Sequence, residues 1–233
     1  MRRAYRSIAI DGPSGAGKSS LSGQLARAIG YLHVDTGAIY RTVGLAASRR
    51  AIGKEDAQAV AAMLPELDIQ VRYGPDGGQR MVLDGEDVTE AIRSHAVSEW
   101  ASIVAAIPAV RAFLLDTQRK LAQSHDVIMD GRDIGTVVLP DADLKIFLTA
   151  QPKDRARRRY LELCQRGEQA DEEQILQDVL RRDRQDMERA ASPLRQAPDA
   201  VVADTTGKGR EESFQLLLKL VQTHLGEVGG VGR

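Results

Sequence analysis

Eight residues constrain this chain more than any others: Gly12-Pro13-Ser14-Gly15-Ala16-Gly17-Lys18-Ser19. They follow Ser7 to Asp11, an apolar run of strand length, and lead into Leu21, Leu25, Ala28 and Ile29 at helical spacing. The pattern G-x-x-x-x-G-K-S/T thus stands in the strand–loop–helix setting it requires. Glycines let such a loop curl closely around an anion. Its amides then converge beside the positive end of a helix dipole, so the loop, with Ser20 behind it, cradles phosphates. Lys18 would reach the outer phosphates of a nucleoside triphosphate, and the Ser19 hydroxyl would ligate Mg²⁺. The chain is expected to bind such a triphosphate. What receives its phosphate is the remaining question.

Composition narrows the field. A chain of 233 residues can bury one sizeable core, with small insertions. The 32 Lys and Arg against 33 Asp and Glu leave no basic field that would argue for nucleic acid. Aromatics, at 4%, are too few for a base-stacking platform. The lone Cys164 forms no intrachain disulfide, which suits a reducing cytoplasm. The apolar run after the basic start ends at Asp11, too short for a signal segment, and no stretch of about 18 apolar residues would span a membrane. A cytoplasmic protein acting on small molecules is expected.

The first helix should end at Gly30, a good C-terminal cap. Tyr31 to Asp35 reads as a second strand, and Thr36 as the N-cap of a helix reaching about Ala51. A short helix is expected over about Glu55 to Leu64. Leu67 to Tyr73 then alternates apolar and polar, Gly74 to Gly78 is a turn cluster, and Arg80 to Asp84 alternates again. With Gly85 to Val88, these form a small inserted antiparallel sheet, either an acceptor site or a structural flap. Helices resume from about Thr89, with Pro108 at the first position of one running to about Ser124. Asp126 to Asp130 is a third core strand, followed by a loop Gly131 to Thr136. Leu144 to Leu148 is a fourth, Pro152 to Arg166 a basic helix closed by Gly167, and Glu172 to Ala190 a charged helix. Ala200 to Asp204 is the fifth strand, with the exit loop Thr205-Thr206-Gly207, and Arg210 to about Leu225 is the last helix.

Strands separated by helices imply an α/β fold: a five-stranded parallel sheet with helices on both faces, carrying the small inserted antiparallel sheet. Ligands on such sheets sit beyond the carboxyl ends of the strands. That rule gathers the phosphate loop, Asp35-Thr36, Asp130 to Asp133 and Thr205-Thr206. Asp130 either organises Mg²⁺ waters or caps the following turn. Around the same rim fall Arg41, Arg132, Arg158, Arg159, Arg182 and Arg189. Guanidinium forks neutralise phosphate oxygens, which is most of the catalysis in phosphoryl transfer. Arg182, Asp186 and Arg189 lie on one helix face, with Leu176, Leu180 and Met187 roughly 120° away, expected on the core. The same spacing fits an exposed salt-bridge ladder. Asp133 and Arg111, which the sequence alone does not bring together, would as a pair match the edge of cytosine, an amino donor beside acceptors, and would strand a carboxylate against uracil.

Several stretches together resemble the bacterial cytidylate kinases, in the nucleoside monophosphate kinase group. They are Ile10 to Lys18, Asp35 to Arg41, Leu83 to Val88, Ala101 to Arg111, Asp130 to Val138, and Arg182-Asp183, Asp186, Arg189-Ala190 and Pro193-Leu194. The resemblance runs in order from about Ser7 to about Leu225. It implies a core of residues 1–36, 106–153 and 190–225, a monophosphate-binding region over 37–105 and a lid over 154–189; the glycine-rich tail over 226–233, outside the resemblance, is expected to be disordered. It implies ATP as co-substrate with Mg²⁺, and CMP or dCMP as acceptor. Ser102, Arg111 and Asp133 would contact the base, and Arg182 and Asp186 the sugar. Arg41, Arg132 and Arg189 would hold the acceptor phosphate and, with Lys18, carry catalysis, while Thr36 and Tyr40 line the pocket. Arg158 and Arg159 belong to the lid over ATP, where Arg157 to Arg159 leave the register ambiguous, and Thr206 to the adenine-side loop. Free swinging of the lid and the acceptor region favours a monomer.

Rival readings lack their signatures. A switch GTPase needs N-K-x-D, which is absent, and the D-x-x-G at Asp204 to Gly207 comes too late in the chain. Adenylate, UMP-specific or shikimate kinases share the phosphate loop but not the inserted sheet with Gly131-Arg132-Asp133-Ile134-Gly135-Thr136.

Overall fold

A computed structural model describes residues 4–165 and 167–226. The expected tail beyond residue 226 and the expected helix end at Arg166 lie outside the described residues. The first strand, β1 (Ser7–Asp11), is buried along its whole length, as its apolar sequence demands. The loop 12–17 follows it and runs into α1 (Lys18–Ile29), ended by Gly30 at φ 74°. Then come β2 (Leu32–Asp35), α2 (Thr36–Arg49) and α3 (Ala57–Met63). The inserted sheet is β3 (Ile69–Tyr73), β4 (Gln79–Leu83) and β5 (Glu86–Asp87), antiparallel and in that order. Next follow α4 (His95–Ala105), α5 (Pro108–Ser124), β6 (Val127–Gly131) and β7 (Leu144–Thr149). The chain closes with α6 (Pro152–Gln165), α7 (Glu172–Glu188), β8 (Val201–Asp204) and α8 (Arg210–Leu225).

The main sheet is ordered β2-β6-β1-β7-β8 and all its pairings are parallel. Alternate residues of β1 serve two cores. Ile8 and Ile10 pack with Leu25 of α1 and Leu217 of α8. Ala9 belongs to the core of the opposite face, with Val43 of α2, Val104 of α4 and Leu114 of α5. Each of these buried isoleucine, leucine and valine side chains contributes about 1.5–3 kcal/mol over an exposed one. Two helices of that face approach closely: a Cβ on Gly44 would lie 2.6 Å from the Trp100 Cβ.

Three expectations are corrected. Asp35, not Thr36, caps α2, accepting from the Ala38 N–H at 3.0 Å. The Thr36 hydroxyl is used elsewhere, donating to the Asp130 carbonyl of β6 at 2.7 Å. The segment after β6 is not a plain loop but ends in a π-helical turn, Ile134–Val138. Nor do Leu180 and Met187 pack on the core; they are 40% and 59% exposed. The buried positions of α7 are Val179 and Asp186, because this helix meets the rest of the molecule through ion pairs.

Candidate active site

Beyond the carboxyl ends of the strands lies an open cavity of about 340 Å³. Ser14, Gly15, Gly17, Lys18, Ser19 and Ser20 form one part of its lining. Gly15 and Gly17 stand at φ 73° and 85°, so the loop turns back on itself without strain. Gly12 leaves no room at all: a Cβ there would lie 2.0 Å from the Leu148 carbonyl oxygen. Gly12, Pro13 and Ala16 shape the loop without lining the cavity. Lys18 is only 6% exposed, and its side-chain nitrogen donates to the Pro13 carbonyl at 2.7 Å. Burial, then the neighbouring Arg132, push its pKa down to about 7, against the pull of Asp130, Asp186 and Asp11. The Ser19 hydroxyl donates to Asp130 at 2.8 Å, and the other Asp130 oxygen meets His33 at 2.6 Å. Burial opposes a charge on His33, but Asp130 outweighs it and moves the imidazole pKa up.

The other walls come from α2, α4, α5, the segment after β6, and α6 and α7. Thr36, Tyr40 and Arg41 of α2 line the cavity, with Ser102 of α4 and Arg111 of α5. Arg132 and Asp133 enter from the end of β6, Arg158 from α6, and Arg182, Asp186 and Arg189 from α7 and its end. The guanidiniums are paired. Arg41 donates to Asp35 at 2.9 Å and Arg132 to Asp186 at 2.6 Å. Arg111 pairs with Asp133, donates to the Ser192 hydroxyl at 3.0 Å, and stands 5.7 Å over the Tyr40 ring. Arg189 reaches within 3.6 Å of Asp133. Burial raises the Asp133 pKa above the ordinary value although Arg111 and Arg189 oppose it. Burial likewise holds Arg182 and Arg189 below the usual arginine value. Among the described residues, Arg182 has no ion pair.

Besides Gly12, Pro13 and Ala16, two expected residues, Arg159 and Thr206, fall outside this lining. Arg159 donates to Glu162 at 3.4 Å instead. Thr206 accepts from the Gln151 N–H at 2.9 Å and lines a separate groove beside Pro13. The inserted sheet contributes nothing to the cavity lining. It instead docks at the end of β2, where Gln79 exchanges bonds of 2.7 and 3.1 Å with the Asp35 backbone and the Tyr73 hydroxyl donates to the His33 carbonyl at 3.0 Å. Sequence reasoning missed Arg155, 2% exposed, which donates to the Ala150 carbonyl at 2.9 Å and the Ser14 carbonyl at 2.7 Å and pairs with Asp183. It missed Asp11 too. A carboxylate ending a buried strand was the available signal for the second.

A phosphate loop at the head of a parallel sheet, facing a second wall of arginines across one cavity, defines a P-loop phosphotransferase with a small anionic acceptor. The family profile described as cytidylate kinase matches residues 8–223. A cytidylate kinase of Caldicellulosiruptor bescii is 51% identical over 213 residues, covering 91% of this chain and 94% of its own. One of Pseudomonas paraeruginosa is 43% identical over 230 residues, covering 98% and 99%. A solved structure of an uncharacterized protein from Eubacterium ventriosum, 12% identical, superposes with a TM-score of 0.52 over 94% of this chain and 99% of its own, a likeness of fold alone. The chain belongs to the cytidylate kinase family, which makes it an ATP-dependent nucleoside monophosphate kinase. No single helix among the described residues is long and apolar enough to cross a membrane.

Proposed function

We propose that the chain transfers the γ-phosphate of ATP to CMP or dCMP, giving ADP and CDP or dCDP. One observation carries the residue roles: Lys18 and Ser19 share a cavity with Arg41, Arg132 and Arg189. Two polyanions meet in line only where such charge is neutralised, and preorganised donors aimed at the transferring group supply most of the rate. Lys18 binds the outer phosphates of ATP, while Arg41, Arg132 and Arg189 hold the CMP phosphate. Asp133 accepts the N4 amino group of cytosine, and Arg111 and Ser102 complete that edge. Uracil would turn a carbonyl toward Asp133 and strand it. Arg182 and Asp186 take the sugar, Thr36 and Tyr40 fill the wall, and Arg158 closes over ATP with the lid helices 154–189, Arg159 and Thr206 flanking that side.

The Ser19 hydroxyl and Asp130 suit Mg²⁺, which prefers hard oxygen donors, few protein ligands and retained waters. Bound there, the ion would offset negative charge on the transferring group. The chain acts as a cytoplasmic monomer, without nucleic acid or membrane, which a sedimentation measurement checks.

A coupled ADP-release assay with CMP, dCMP, UMP, AMP and shikimate tests the substrate. CMP or dCMP should lead, with UMP at least about tenfold poorer in kcat/KM. Fastest turnover of AMP or shikimate would overturn the reading. Asp133→Ala should raise KM for CMP and spare ATP binding; loss of ATP binding instead would refute its assignment.

A further inference from the structure

The turn Ile134–Val138 begins with amide N–H groups that, like those of any helical segment, have no partner inside it. The residue at its N-cap position is Asp133, whose type ordinarily turns inward to accept those bonds. Here it makes no capping bond. Its carboxylate faces Arg111 and Arg189 in the cavity. The vacant task falls to Asp11, the last residue of β1, which is 5% exposed. One Asp11 oxygen accepts the Ile134 N–H at 2.8 Å and the other the Gly135 N–H at 2.7 Å. Arg119 of α5 closes the opposite end, donating to the Val137 and Val138 carbonyls at 3.0 and 3.1 Å. The turn is held at both ends by distant side chains.

We propose that Asp11 is a positioning residue for base recognition: by capping the turn from the next strand, it frees Asp133 to face the acceptor base. The inference rests on the proposed role of Asp133. Its special property is separation of duties, since one aspartate cannot cap its own turn and accept an amino group in the cavity. Asp11 also adjoins Gly12, so the tether joins the phosphate-loop strand to the base-reading segment directly. Without Asp11, the bare amides would draw Asp133 inward.

The test compares CMP and UMP kinetics in Asp11→Ala, Asp11→Asn, Asp133→Ala and the double variant Asp11→Ala/Asp133→Ala, with binding of a non-hydrolysable ATP analogue measured alongside. Loss of a buried bidentate interaction should lower the CMP-over-UMP preference about tenfold in Asp11→Ala, mainly through KM for CMP, with analogue affinity within about twofold. Asp11→Asn keeps one acceptor oxygen and should fall between Asp11→Ala and the parent. In the Asp133→Ala background, Asp11→Ala should change the preference by less than about twofold, because coupled residues are not additive. Independent, multiplying effects would overturn the proposal, as would an unchanged preference in Asp11→Ala. Should Asp11→Ala fail to fold, Asp11→Asn decides: a preference equal to the parent's overturns it. An Asp133→Ala variant with full preference would instead sink the base-reading role itself, whatever Asp11 does.

Discussion

Lys18 should take up a proton when the triphosphate binds. The residue is 6% exposed, and burial with Arg132 nearby pushes its pKa down to about 7. In the unligated protein at pH 8, about a tenth of the molecules then carry charge on Lys18, rising to about half at pH 7 and about nine tenths at pH 6. A triphosphate beside it favours the charged form and moves the pKa up, as any close anion does. Binding should therefore draw in about 0.9 proton at pH 8, about 0.5 at pH 7 and about 0.1 at pH 6. Charging Lys18 at pH 8 costs about 1.4 kcal/mol, so affinity should fall close to tenfold per pH unit above 7.

Calorimetric titration with a non-hydrolysable ATP analogue, repeated in buffers of different ionisation enthalpy, reads the proton number directly. Lys18→Arg provides the reference, because a guanidinium stays charged throughout. Subtracting its proton number from that of the parent removes contributions from His33 and from the analogue. A difference that is flat between pH 6 and pH 8, or that vanishes at pH 8, would refute the assignment of the low pKa to Lys18.

Four further outcomes are expected. Stability of the unligated protein should rise with pH between about 7 and 10.5, because over that window unfolded Lys18 binds more protons than folded Lys18; urea titrations should show Lys18→Met flattening the rise. Asp11 acts in the opposite sense, its carboxyl raised by burial to about 6 from 3.8, so its part of the stability falls as pH climbs through that interval. Gly44→Ala forces a Cβ to within 2.6 Å of Trp100, should cost about 1–3 kcal/mol by urea unfolding, and should raise KM for CMP because α2 carries Tyr40 and Arg41. Arg155→Met releases the Ser14 carbonyl and strands Asp183, which should cost about 3 kcal/mol and raise KM for ATP more than KM for CMP; equal effects on both would refute the loop-holding role.

Much of this was legible where the determinants are local. The loop 12–19 announces itself because glycines, lysine and serine sit in sequence between a strand and a helix. The inserted sheet shows in the alternation on either side of the Gly74–Gly78 turn. What escaped depends on partners far along the chain. The π-helical turn is stabilised by Asp11, 123 positions before Ile134, and no local pattern encodes that. The inner face of α7 was misread because apolar spacing was followed, whereas the face that docks is ionic, through Asp183 to Arg155 and Asp186 to Arg132. In α6, three successive arginines project roughly 100° apart, so the sequence could not tell which faces the cavity. Arg158 does; Arg157 turns to Glu172 at 3.9 Å and Arg159 to Glu162.

The pairing within the cavity has a consequence for selectivity. Without a ligand, Arg41 rests on Asp35, Arg132 on Asp186, and Arg111 and Arg189 on Asp133. Such pairs offset the cost of burying each charge, and removing one partner alone is strongly unfavourable. A bare phosphate that drew the arginines away would leave Asp133 and Asp186, 4% and 7% exposed, without their partners. A nucleotide whose base presents an amino group to Asp133 and whose sugar presents a hydroxyl to Asp186 satisfies the carboxylates as it takes the guanidiniums. Recognition under the proposed roles is thus an exchange of partners, with the penalty for an incomplete match falling on buried carboxylates. Inorganic phosphate should accordingly inhibit far more weakly than its charge suggests. If phosphate competed with CMP at comparable concentrations, the resting ion pairs would have no part in choosing the substrate.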